Sequence, residues 1–101
     1  METLANYRQA ILNVITPFPT SGYDIPEIKT HVITDKDTDT YLLIRTGWRG
    51  DRNYYSVIIH MAIVGGEIII YQNNTDRELD EELTDEGVAP AAISLAYIKP
   101  D

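Results

Sequence analysis

The run VIIHMAIVGGEIIIYQ, residues 57–72, leaves little freedom to any chain that contains it. Two β-branched apolar segments joined by Gly65-Gly66 read as a hairpin, because a two-residue primed turn needs positive φ at both central positions. With the glycines as the turn, Ile63 faces Ile68, Met61 faces Ile70 and His60 faces Tyr71. Strand alternation then gives one face of Tyr55, Val57, Ile59, Met61, Ile63, Ile68 and Ile70, which is uniformly apolar. The other face carries Tyr54, Ser56, Ile58, His60, Ala62, Ile69 and Tyr71. A half-solvated antiparallel sheet alternates more cleanly than this. The first face is therefore expected under helices. The second mixes rings, small polar groups and isoleucine as an interface does, and His60 is expected there as a docking residue.

The flanking segments complete an α+β pattern. Residues 2–15 carry Leu4, Tyr7, Ile11, Val14 and Ile15 on one helical face, and Thr16-Pro17 stops the helix. FPTSGYDIP, residues 18–26, is a turn-rich connector. Strands are expected at 28–34 and 40–48 around the polar tip DKDTD, then at 53–64 and 67–72. In NNTDRELDEELTDEG, Thr75 and Glu78 have capping-box spacing, Leu79 and Leu83 supply an apolar stripe, and Gly87 ends the helix. Pro90 opens a single turn before a short last strand at 93–97. The expected fold is a mainly antiparallel sheet of about five strands, with an N-terminal and a C-terminal helix packed on one face.

A chain of 101 residues reads as one domain over 1–101. It contains no cysteine, which excludes disulfides, thiol nucleophiles and thiolate zinc sites. No basic start precedes an apolar run, and no apolar stretch approaches the length of a membrane span, so the expected location is cytoplasmic with no membrane contact. The net charge of −8 opposes polyanion binding, so direct DNA binding is disfavoured.

No cofactor or metal site is expected. Asp35, Asp37 and Asp39 open with calcium-loop spacing, but Thr40 stands where that loop needs glycine and Thr46 where it needs glutamate. His60 has Ser56 on its expected face four residues earlier, yet no glycine elbow or oxyanion signature accompanies them. No catalytic residue is assigned. Two surfaces remain as candidates. One is the mixed sheet face with the arginine-aromatic segment beside it: Trp48, Arg49, Arg52, Tyr54, Ile58, His60, Ile69 and Tyr71, residue types of protein hot spots. The same arginines, with Arg45, could instead grip nucleic acid. The other is an acidic helix bearing Asp76, Asp80, Glu81 and Asp85, either a solvated face or a ridge for a basic partner.

Several segments together resemble the XisI family, the excision controlling factors of the cyanobacterial fdxN element. YRQAIL is similar to the family's Tyr-Arg-x-x-Ile start, and YLLIRTGW to its Tyr-x-Leu-x-x-x-Gly-Trp segment through Tyr41, Leu43, Gly47 and Trp48. Arg52, His60 and EIIIYQNNTD resemble its Arg, its strand His and Lys-Ile-x-Ile-Gln-x-x-Thr-Glu, with Glu67 and Asp76 as departures. ELTDEGVAPAAISLAY resembles Glu-Leu-x-x-x-Gly-Val-x-x-x-x-Ile-x-Leu-x-Phe, with Tyr97 as the aromatic. The resemblance implies a small non-enzymatic α+β factor that assists excision of a DNA element during heterocyst development. It also implies a nuclease-like partner of the XisH type, the recombinase being a separate protein. The expected function is that of an accessory factor acting in a homo-oligomer or hetero-complex. The alternatives are an antitoxin-like inhibitor of the same partner and a DNA-binding module using Arg45, Arg49 and Arg52.

Overall fold

The computed structural model describes residues 2–16 and 28–98, so the connector expected at 18–26 lies outside the described residues. Helix α1 (Glu2–Ile15) buries Ala10, Ile11, Val14 and Ile15, while Leu4, expected on that face, is exposed one turn beyond its reach. The strands are β1 (Ile28–Asp35), β2 (Thr40–Arg49), β3 (Arg52–Val64) and β4 (Glu67–Asn73). Helix α2 (Leu79–Asp85), a single 3-10 turn at Pro90–Ala92 and β5 (Ile93–Leu95) follow. The five strands lie in sequence order, antiparallel except for the parallel β4–β5 pair that the α2 crossover creates. Both helices cover one face. Ile11, Ile15, Leu79, Leu83 and Val88 there meet Leu43, Ile59, Met61, Ile68 and Ile70 in one core, each such side chain contributing about 1.5–3 kcal/mol of apolar burial. Among the described residues, no helix is long and apolar enough to cross a membrane.

The turns follow from their residues. Gly65 and Gly66 have φ of 59° and 82°, as the primed turn requires, and Val64 pairs with Glu67 across it. At the β1–β2 tip the Asp35 carboxylate accepts the Asp37 N–H and the Thr38 hydroxyl, each at 3.0 Å. The third acid of that tip points elsewhere. Asp39 is held by Arg8, whose Nε donates to Oδ1 at 2.7 Å and Nη2 to Oδ2 at 3.3 Å. The Asp35 and Asp39 carboxylates are thus engaged in a turn and in an ion pair to α1.

The start of α2 differs from the sequence expectation. Thr75 does not cap it: its hydroxyl donates to Asn73 Oδ1 at 2.6 Å and accepts the Arg77 N–H at 3.0 Å. Asn73 Nδ2 also donates to the Arg77 carbonyl, so these side chains close a local turn and the helix begins only at Leu79. Asp76 therefore sits in the turn, outside the helix on which it was expected. Arg77 pairs with Glu82 and donates to the Val14 carbonyl, fastening this turn to α1. The C-terminus is as expected. Gly87, at φ 101°, lets its own N–H reach Thr84 and the Val88 N–H reach Leu83, and Leu83 and Val88 are both buried.

The Arg8 guanidinium, mainly by its hydrogen bond, lowers the Asp39 carboxyl below its usual range. A carboxyl lowered on folding stabilises the fold above its unfolded pKa, and that contribution disappears as pH falls through the folded value. Arg8→Gln is accordingly expected to narrow the loss of stability below about pH 4. Urea melts of both proteins at pH 3 to 7 check this; parallel pH curves would remove the pair from acid unfolding.

Candidate interaction surface

Two irregularities in the ladder decide which side chains the helix-free face carries. Between β2 and β3 the pairing moves from Leu43↔Ile59 to Ile44↔Val57, leaving Ile58 as an extra residue. Between β3 and β4 it moves from Met61↔Ile70 to His60↔Gln72, leaving Tyr71 extra. A bulge interrupts alternation, so side chains beyond it emerge on the opposite face. Ile58 turns inward and joins the core at 8% exposure, rather than docking outward as expected. Val57 and Tyr55, expected in the core, lie with Ile44 and Thr46 on the helix-free face, where Tyr55 is 71% exposed. His60 faces Gln72 rather than Tyr71. The two rings still meet, with centroids 4.8 Å apart and planes tilted by 40°.

The first bulge is held by side chains at the end of β4 and just beyond it. Gln72 Nε2 and Asn74 Nδ2 both donate to the Val57 carbonyl, at 2.7 and 3.1 Å, and the Asn74 N–H donates to the Ile58 carbonyl at 2.8 Å. These amides satisfy carbonyls that a regular ladder would have paired. The one sequence signal for their role is three consecutive amide residues, Gln72 to Asn74, closing an otherwise apolar strand.

The helix-free face therefore carries Ile33, Leu42, Ile44, Trp48, Tyr55, Val57, His60, Ile69 and Tyr71. Ile44 is buried yet stands apart from the main core, shielded among its neighbours on this side. Trp48 and Tyr71 are 57% and 42% exposed, and Ile33 is exposed with them. His31 Nε2 lies 3.0 Å from Thr46 Oγ1 at the margin. Large aromatic groups at this level of exposure are hot-spot material.

The arginines do not share that face. Arg49 pairs with Arg52 at the β2–β3 tip and Tyr54 with Gly47, positions that alternate with Trp48 and so lie on the helix side, as does Arg45 opposite Ser56. The single patch expected from Trp48 to Tyr71 thus resolves into three parts: an aromatic-aliphatic face, a basic tip and a core residue. Arg52 sits 5.3 Å from the Tyr54 ring centroid, a cation–π contact worth about 0.5–1 kcal/mol at an exposed site. Between α2 and the Pro90–Leu95 segment, Asp80, Glu81 and Asp85 line a groove of ≈ 480 Å³ with Thr84, Pro90, Ile93 and Leu95. Among the described residues, no buried side-chain polar atom lacks a partner, and no three His, Asp or Glu residues converge as metal ligands.

The family model described as XisI protein matches residues 1–101. The chain belongs to the XisI family. The fold agrees with that of a XisI-like protein from Anabaena variabilis ATCC 29413, at 29% identity and a TM-score of 0.88, over 96% of this chain and 89% of that one. It also agrees with the fdxN element excision controlling factor XisI of the same organism, at 25% identity and a TM-score of 0.82, over 97% and 95% of the two chains. No curated protein matches. Several residues behind the XisI resemblance have structural tasks: Gln72 holds the β3 bulge, Thr75 shapes the turn before α2, and Gly87 ends that helix.

Proposed function

We propose that this XisI family member is a non-catalytic factor in the excision of a DNA element, acting by binding a nuclease-like XisH-type protein. The excision role follows the name of its Anabaena variabilis relative, the fdxN element excision controlling factor. The protein-binding mode rests on the helix-free sheet face, where Trp48, Tyr55 and Tyr71 stand exposed around half-buried Leu42, Val57, His60 and Ile69. Aromatic anchors set among aliphatics suit a protein partner, because desolvating them supplies affinity without charge. The carboxylates on α2 add long-range attraction for a basic surface.

A second reading shares the partner but reverses the effect. Asp80, Glu81 and Asp85, gathered along one groove, could mask the DNA path of a nuclease in the manner of an antitoxin. Nuclease assays of the XisH-type protein with and without this chain separate the two: an accessory factor preserves or raises cleavage, and an inhibitor suppresses it.

Both readings expect no direct DNA affinity. The net charge of −8 opposes a polyanion, and Arg45, Arg49 and Arg52 towards the β2–β3 tip are too few cations to release many counterions. In fluorescence anisotropy at about 150 mM salt, duplex DNA should remain unbound to micromolar protein. Sub-micromolar binding with a steep salt slope, lost on Arg49→Ala and Arg52→Ala, would transfer the function to the basic tip.

A further inference from the structure

We infer that β1 pairs with β1 of a second copy of this chain, antiparallel about a two-fold axis at Val32, so that two five-stranded sheets become one continuous sheet. The two edges of the sheet are very unequal. β5 spans only Ile93–Leu95 and runs into a turn closed by the Ile98 N–H on Leu95. β1 is eight residues long, contains no proline and pairs with β2 without a break from Ile28↔Gly47 to Asp35↔Thr40. Edge strands are ordinarily shielded by shortness, bulges, proline, charged side chains or a covering element. β1 has none of the first three, and Lys29, His31, Ile33, Thr34 and Asp35 along it are all exposed. Among the described residues, no backbone hydrogen bond outside the regular elements involves β1. Helix α1 makes its main sheet contacts with β3, two strands in from this edge.

The sequence of β1 is self-complementary in one register. With Val32 opposite Val32, Lys29 of each copy faces Asp35 of the other, His31 faces Ile33, and Thr30 faces Thr34. Two opposite-charge pairs, two threonine pairs and a β-branched pair on the axis are favourable cross-strand combinations. Symmetry and face matching allow only registers displaced by whole pleats. Centring on His31 sets Lys29 against Ile33, and centring on Ile33 carries Lys29 past the end of the partner strand. Only the Val32 register satisfies both charges. This pairing uses the sheet edge and leaves the aromatic face free, so it does not depend on what that face binds.

The absence of cysteine gives a direct test. Directly opposed antiparallel residues have Cα atoms about 4.5–5.5 Å apart, within disulfide range. Val32→Cys in the full chain should therefore oxidise to a disulfide-linked species of twice 11.4 kDa, whereas Ile33→Cys, facing His31, should not. By light scattering the unmodified chain should be a dimer, and Lys29→Glu should weaken it by about tenfold or more through two like-charge pairs. Adding Asp35→Asn, which keeps an oxygen for the Asp37 N–H, should recover part of that loss. A monomer at about 100 µM would overturn the inference. So would equal cross-linking of both cysteine variants, or a dimer indifferent to Lys29→Glu but dissociated by Tyr71→Glu. A monomer that instead takes up an extended segment of another protein would reassign the edge to that partner.

Discussion

Replacing Ile58 with alanine is expected to destabilise the domain by about 2–4 kcal/mol, whereas Tyr55→Ala should change it by less than about 0.5 kcal/mol. Ile58 has 8% of its surface exposed and belongs to the core with Ile59 and Ile11, so truncation removes apolar burial and leaves a cavity. Tyr55, three residues earlier, is 71% exposed and can be shortened without emptying any packed space. A two-to-four kilocalorie loss is a large share of the roughly 5–15 kcal/mol that a domain of this length possesses. Urea unfolding at neutral pH reads both values from the midpoints at constant slope. Uninterrupted alternation predicts the reverse order, so a costly Tyr55→Ala beside a harmless Ile58→Ala would eliminate the β3 bulge.

The second large effect falls on partner binding. If the proposed XisH-type partner docks on the helix-free face, Trp48→Ala and Tyr71→Ala should each weaken that complex by about thirtyfold or more, in keeping with hot-spot losses of about 2 kcal/mol. Both side chains are exposed in the isolated chain, so unfolding midpoints should hardly move while affinity falls. Arg52→Ala provides the contrast. It occupies the helix side of the hairpin tip, where its visible contact is the Tyr54 ring, and should leave affinity within about threefold. Titration calorimetry with the three variants separates the surfaces. If Arg52→Ala is the damaging change and the aromatic variants bind normally, the partner docks on the tip.

Most of the element plan was legible along the chain. Gly65-Gly66 demands a tight hairpin because few other residue pairs adopt positive φ twice without strain, and the structure has that turn. The 3.6-residue spacing of Ile11, Val14 and Ile15 specifies a helix with one buried face, and Gly87 specifies its neighbour's end. These are local properties: each is decided by a residue's own conformational range and by apolar groups within a turn or two.

What the tertiary structure alone decided is which way β3 faces. Its period-two pattern reads equally well with or without an extra residue, and the choice was made by groups distant in sequence. Gln72 and Asn74 offer donors to the Val57 carbonyl, and Ile58 gains a place among Ile11, Leu43 and Leu79. Inverting residues 52–57 moved Trp48's neighbours, parted Arg52 and Tyr54 from Tyr71 and set Tyr55 on the helix-free face. The start of α2 was settled in the same way. Thr75 has the chemistry of a cap, but Asn73 and Arg77 gave its hydroxyl a closer use, so the helix waited for Leu79 to reach the core. Periodicity names the candidate faces of a strand. Competition among side chains for the same carbonyls and the same core volume selects one of them.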